Sequence, residues 1–222
     1  QIGTGFHMNV KTALGAAIIG LSCGASIATV ASAASNPSLG QAKKFSAVEF
    51  GKTLPPVGYV KFCAENPDEC LPKGGSVFRL AMSTERWKLV HQVNAYVNGK
   101  IAPMSDQDLY GEPEHWAFPT DAGDCEDYLL LKKRLLETLD FAPETLLITV
   151  VLDEKGEGHA ILTVATDDGD FVLDNRRNEV LQWSDTNYKF LKRQSHADPR
   201  QWVALVKQAV STSGSVSTGK AN

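Results

Sequence analysis

Basic residues are in the minority: 22 Lys and Arg against 26 Asp and Glu leave a net charge of −4 and an isoelectric point near 5.7. Such a chain has no electropositive footprint for a phosphate backbone, so nucleic acid is not an expected partner. Cysteine is scarce, with four in 222 residues. No further Cys or His pair accompanies Cys63 and Cys70, which argues against zinc there. Internal repeats and long low-complexity tracts are missing as well, and long apolar runs are missing everywhere except Ala13–Val30. With 43% hydrophobic residues, what remains has the size and composition of one globular domain of about 150–200 residues with extensions.

The single apolar run sets the expected organisation. From Met8, one charged residue (Lys11) leads into the Ala- and Gly-rich Ala13–Val30, which ends at Ala31-Ser32-Ala33, a small-x-small pattern. That is the form of a Sec-type secretory signal peptide over 8–33, cleaved after Ala33, and it directs the chain to the periplasm or beyond. An uncleaved membrane anchor is the alternative, which the frequent Gly and Ser disfavour. A lipoprotein acylated at Cys23 is weaker still, because Gly20 stands where a large aliphatic residue is expected. Residues 1–7 read as upstream sequence or an expression remnant and 34–44 as a linker. The domain follows over 45–210, and 211–222, rich in Ser, Gly and Thr, is a disordered tail.

Export gives the cysteines meaning. Cys63 and Cys70 bracket a short polar loop that a disulfide can close in an oxidising compartment. Cys125 is then left over, and a leftover thiol in an exported protein is either reactive or well buried. The acids beside it, Asp124, Glu126 and Asp127, argue against deep burial.

Around Cys125 the pattern is that of a helix start. Asp124 is a natural N-cap, Asp127 can answer it as in a capping box, and Tyr128, Leu131, Leu135 and Leu139 recur at helical spacing. Cys125 falls in the first turn, where free backbone N–H groups and the helix dipole favour a thiolate. Ser83 opens an earlier core helix to Asn98, with His91 read as a surface or structural histidine. Residues 45–62, with Pro55, Pro56 and Gly58, read as irregular or extended, and 109–120 as a loop whose Trp116 belongs to the core. Beyond Pro143 the signal changes to strands at 146–152, 159–165, 171–174 and 180–183. Helices followed by an antiparallel meander make an α+β fold, with the cysteine helix packed on one face of the sheet.

A cysteine nucleophile needs an imidazole to share its proton and a carboxylate or amide to orient that imidazole. His159 at the start of the second strand and Asp174 at the end of the third are the candidates. A hairpin folded about 166–167 sets them directly opposite. A tight turn at 168–169 sets Asp174 opposite Thr163 instead, about 13 Å out of register at ~3.3 Å per residue. The pairing therefore predicts the looser turn or a bulge.

Gly123-Asp124-Cys125-Glu126-Asp127-Tyr128, then Gly158-His159-Ala160 and Val172-Leu173-Asp174-Asn175, resemble the bacterial transglutaminase-like cysteine proteinases, the LapG-type periplasmic proteases. The resemblance runs from Trp116 to Trp183. It implies a papain/transglutaminase-like fold with a Cys-His-Asp triad, here Cys125, His159 and Asp174. It further implies calcium, an exported substrate such as a surface adhesin, and an inner-membrane receptor that senses cyclic di-GMP. Calcium also has a physical basis. The acids at Asp124, Glu126 and Asp127 oppose a thiolate, and a bound Ca2+ would cancel much of their field. Asp124 and Glu126 are its implied ligands, with Asp127 as a further candidate; the alternative is that Asp124 and Asp127 only cap the helix. Asp167-Asp168-Gly169-Asp170 lacks the rest of a calcium loop and reads as a turn. The reading is a cysteine endopeptidase. A protein-glutamine transglutaminase or acyltransferase with the same triad, and a non-catalytic binding protein on this fold, remain as alternatives.

Overall fold

A run such as Leu146–Leu152, apolar at almost every position, suits a strand covered on both faces, and the next strand is buried throughout after its first residue. The computed structural model describes residues 46–206, and these two strands are at its centre. The expected signal peptide, linker, upstream residues and tail lie outside the described residues. Nine strands are described: β1 (Lys52–Thr53), β2 (Ala102–Pro103), β3 (Ala122–Gly123), β4 (Leu146–Leu152), β5 (Gly158–Thr166), β6 (Gly169–Asp174), β7 (Arg177–Gln182), β8 (Lys189–Gln194) and β9 (Trp202–Ala204). Seven of them form one antiparallel sheet in the order β1-β9-β8-β4-β5-β6-β7, while β2 and β3 pair in parallel. The meander β4-β5-β6-β7 is the expected one; the strands β8 and β9, which extend it past β4, were not foreseen.

Among the described residues four α-helices accompany the sheet: α1 (Val57–Glu65), α2 (Thr84–Lys100), α3 (Asp106–Leu109) and α4 (Cys125–Thr138). Ser83 caps α2 as expected, its hydroxyl accepting from the Arg86 N–H at 3.2 Å. The irregular stretch expected before residue 62 is in part a helix. Pro56 serves as the N-cap of α1, where its missing N–H costs nothing. Gly58 in its first turn lets the Trp116 ring approach, since a Cβ there would lie 2.4 Å from Trp116 Cδ1. The Cys63–Cys70 disulfide is formed and joins α1 to the turn of 3₁₀ helix that follows it.

Helix α4 packs on β5 and against α2. Its buried stripe is Tyr128, Leu129, Lys132 and Leu136, one position round from the expected one. Leu131 and Leu135 are half-buried, and Leu139, expected to close the stripe, is exposed beyond the last turn. The large core between helices and sheet includes Val90, Val97, Leu136, Ile148, Leu162 and Trp202. The opposite face is closed by a smaller cluster of Val151, Ile161, Val172, Phe190 and Leu205 with Ala47.

One ion cluster ties this far side together. Asp170, in the segment read as a turn, is fully buried in β6; its carboxylate accepts from Arg79 Nη2 at 2.9 Å, Arg193 Nη1 at 2.8 Å and the Ala47 N–H at 3.0 Å. Removing one partner of such a pair strands the other charge in the interior. Asp170→Asn is therefore expected to cost about 3–5 kcal/mol in urea unfolding, with the buried Arg193 left to the half-exposed Glu49 alone, 2.8 Å away. A loss under about 1 kcal/mol would show that the cluster is not desolvated as described.

Candidate active site

The N-terminal end of α4 concentrates chemistry because several unlike constraints meet there. Gly123 is buried against the Asp127 side chain, and a Cβ would lie 2.4 Å from Asp127 Oδ2. Asp127 uses that close approach to accept from backbone: the Ala117 N–H at 2.9 Å and, more weakly, the Asp124 N–H at 3.4 Å. The latter is the reciprocal half of the expected capping box. Cys125 is half-buried at the first helical position, and its Sγ lies 2.9 Å from Glu126 Oε2, to which the thiol donates. The flanking acids do not hold the region open to solvent as expected: Glu126 is 6% exposed and Asp127 is fully buried.

Burial pushes Glu126 up to about 8, helped by the charge of Asp124. Burial likewise pushes Asp127 up to about 7, against the pull of the Ala117 N–H, and raises Asp124. The Cys125 thiol is raised well above its usual range, first by burial and then by the Glu126 charge; the Ala160 backbone N–H opposes both. Burial and the Glu126 charge thus oppose the thiolate that the helix terminus favours. Asp106 on α3 joins the cluster, an acid that the sequence does not single out. It is 2% exposed, its Oδ2 accepts from the His115 N–H, and its Oδ1 has no hydrogen-bond partner. Asp124 Oδ1 is equally unpartnered.

Among the described residues, two groups of side chains have ligand atoms within 4.8 Å of one another, Asp124 with Cys125 and Glu126, and Asp106 with Asp124 and Asp127. Hard oxygen donors, two of them buried without partners, fit a divalent cation such as calcium better than they fit each other. Asp124 and Glu126, expected as ligands, stand in the first group; Asp127 stands in the second with both oxygens also engaged by backbone N–H groups.

Across the cleft, the β5–β6 hairpin turns at Asp167–Asp168, with Thr166 opposite Gly169 and Leu162 opposite Leu173. This is neither of the two registers weighed from sequence. It sets Asp174 level with Ile161, two residues along from His159 on the same face, and the imidazole spans that diagonal. His159 Nε2 lies 2.9 Å from Asp174 Oδ1, and a carboxylate only accepts, so the ring donates. His159 Nδ1 is buried with no hydrogen-bond partner. His159 and Cys125 line the same two depressions. One is a cleft of about 610 Å³ that also touches Met104, Ser105, Asp108, Asn175 and Arg176. The other, of about 210 Å³, runs past Pro56, Glu114 and Trp116. Trp116 is buried and donates its indole N–H to Glu114 Oε1 at 2.9 Å, so it serves the core and is not free to bind an oxyanion. His91 is exposed on α2 and lines neither depression.

Comparison of the whole chain with known proteins places it in a family. The family model of the bacterial transglutaminase-like cysteine proteinases (BTLCP) matches residues 49–210. The chain belongs to this family. Solved structures of Legionella pneumophila LapG are similar to it. An EGTA-treated form matches at 21% identity and a TM-score of 0.43, over 49% of this chain and 62% of that one. A calcium-bound form matches at 17% identity and a TM-score of 0.41, over 57% and 73%. The chain thus spans less than two thirds of the EGTA-treated LapG chain. No curated protein sequence matches it. The family model supports a cysteine peptidase with an α+β papain-like fold.

Burial alone would raise Asp174, but the donors from His159, the Arg176 N–H and Tyr188 outweigh it and hold its carboxyl well below the usual range. A depressed folded value adds stability above the unfolded value of about 3.9, and that gain is lost as pH falls through the folded one. The stability gap between wild type and Asp174→Asn, read by urea unfolding, should therefore narrow by on the order of half between about pH 6 and pH 3. A gap unchanged with pH would show that Asp174 is not held as a carboxylate.

Proposed function

We propose that this chain is an exported, calcium-dependent cysteine endopeptidase with Cys125 as nucleophile, His159 as proton carrier and Asp174 as the group that orients it. The observation that carries this reading is the divided imidazole. Nε2 is committed to Asp174 at 2.9 Å, while Nδ1 is unpartnered and buried in a ring that lines the cleft with Cys125. The bare nitrogen is the one that can take the thiol proton. The thiolate then attacks a peptide carbonyl, and the Cys125 backbone N–H at the helix start, which has no intrahelical acceptor, faces the developing oxyanion. The imidazolium gives its proton to the leaving amine, and water, deprotonated by the same ring, releases the acyl group and restores the thiol.

Glu126 is the obstacle in this scheme, since it holds the thiol proton and opposes its loss. Asp124 and Glu126, with Asp106 and Asp127 behind them, are the residues that would hold calcium. A cation held by these residues would supply positive charge that offsets the carboxylates disfavouring a thiolate. Export rests on the signal-like segment over 8–33 and accords with the Cys63–Cys70 disulfide, a bond rare in reducing compartments. The substrate is accordingly an exported protein. A surface adhesin, and control by a membrane receptor sensing cyclic di-GMP, are the partners that resemblance to the LapG-type enzymes supplies.

Incubation with an internally quenched peptide library and calcium, followed by mass spectrometry, tests the chemistry. Wild type should give hydrolysed peptides, and Cys125→Ala or His159→Ala should lower the rate by about a thousandfold or more. Amine-linked products would reassign the site to acyl transfer, and a rate indifferent to both variants would remove it from catalysis.

Calcium has a test of its own. A hundredfold excess over Kd is expected to raise the melting temperature by about 5–10 °C. Asp124→Asn and Asp106→Asn should each lose most of that shift. An equal shift in both variants would place the ion elsewhere.

A further inference from the structure

Asp174 is held by more than the histidine it faces, and the other holders come from a part of the chain with no sequence motif. Oδ1 accepts from His159 Nε2 at 2.9 Å and from the Arg176 N–H at 3.0 Å. Oδ2 accepts from the Tyr188 hydroxyl at 2.6 Å, with Arg177 Nε at 3.6 Å. The phenol is itself held: Arg177 Nη2 donates to its oxygen at 3.3 Å, and the Arg177 guanidinium lies 5.4 Å from the Tyr188 ring centroid. The same ring stands edge-on to His159, with centroids 5.8 Å apart.

We propose that Tyr188 is a positioning residue: its hydroxyl, braced by Arg177, fixes Asp174 Oδ2 so that Oδ1 stays directed at His159 Nε2. This rests on the reading of Cys125, His159 and Asp174 as the catalytic set. The torsion that turns a carboxylate about its Cβ–Cγ bond is broad and two-fold, so burial alone does not choose an orientation. A donor on each oxygen does. Tyr188 also walls the imidazole on one side, so one residue restrains both members of the pair. The approach to Tyr188 is built for the task. It enters β8 from a turn in which Asn187 takes a left-handed conformation, φ 56°, and Thr186 Oγ1 lies 3.4 Å from the Tyr188 N–H. The phenol remains protonated at all working pH values, because burial and the hydrogen bond to Asp174 push it up to about 12. Tyr188 can therefore give its proton to the hydrogen bond and never add a second negative charge.

A residue that merely filled space would be replaced by Phe without consequence for the pair, and this separates the two roles. Two readouts on Tyr188→Phe test the proposal. In the first, exchange of the His159 Nε2–H proton with water is followed by 15N-edited NMR on histidine-labelled protein. Loss of the Oδ2 anchor should speed exchange by about tenfold. The second is turnover of the best-cleaved peptide of an internally quenched library in calcium. There kcat should fall about tenfold with KM within about twofold, because orientation is lost and not substrate contact. Arg177→Gln should move both readouts in the same direction by a smaller factor, and it decides the matter if Tyr188→Phe does not fold. Exchange within about twofold of wild type in a folded variant overturns the proposal, as does a loss confined to KM. Absence of cleavage by wild type would sink the peptidase reading instead, and the exchange readout would still decide whether Tyr188 anchors the His159–Asp174 pair.

Discussion

Asp106, Asp124, Glu126 and Asp127 all bring carboxyl groups to the start of α4, and three of the four are buried. Carboxylates withdrawn from water must find donors, share protons or take up a cation. Here the supply of donors is short. Asp127 takes two backbone N–H groups, Asp106 takes one, and an oxygen on Asp106 and another on Asp124 have none. Glu126 accepts from the cysteine thiol, so the thiol is itself recruited to settle the charge of its neighbours. Burial and the acids at this helix end therefore oppose ionisation of the sulfur, against the pull of the helix dipole.

The other half of the site is fixed by register. A two-residue turn at Asp167–Asp168 leaves Asp174 on the same face as His159 but not opposite it, and β6 pairs irregularly with β7 between Val172 and Asp174. Two asparagines one turn apart on α2 hold the turn that follows. Asn94 Nδ2 donates to the carbonyls of Arg177 and Asn178, and Asn98 Nδ2 to those of Asp174 and Arg177, at 2.9–3.1 Å. Arg176 reaches back to Asp153 at 2.7 Å and ties this turn to the one between β4 and β5. Helix, strand and turn therefore hold a carboxylate whose position no local pattern specifies.

This explains what could be read from the sequence. Capping residues, helical spacing and the switch to strand-like runs are local signals, and they place α2, α4 and the central strands correctly. Cys125, His159 and Asp174 could be singled out because each stands at the end of an element, and the fold brings His159 to Asp174 and to the cleft that Cys125 lines. Helix α1 was missed because Pro55, Pro56 and Gly58 read as breakers, whereas Pro56 caps a helix and Gly58 yields to Trp116. The hairpin register was missed by a single step of turn geometry. The burial of Glu126 was missed because acids are normally solvated, and Lys132 was overlooked for the same reason. That lysine lies inside the core, lowered to about 7 by burial. Asp106 and Tyr188 carry no local signal at all, since only the fold brings them to the site.

Strand β6 offers a comparison within one element. It holds two fully buried aspartates four residues apart, Asp170 and Asp174, and satisfies them in different ways. Asp170 is matched by two guanidinium groups at 2.8–2.9 Å, full charges that cancel its field and make it a structural anchor. Asp174 is matched mainly by dipoles, the Tyr188 hydroxyl and the Arg176 N–H, with the nearest guanidinium nitrogen at 3.6 Å. Dipoles orient a carboxylate and keep it ionised, yet leave more of its charge to be felt by a neighbour. On the proposed mechanism that neighbour is His159, which becomes an imidazolium on taking the thiol proton and needs the charge at that moment. A second arginine in close contact with Asp174 would hold the residue as firmly and remove the field the imidazolium requires.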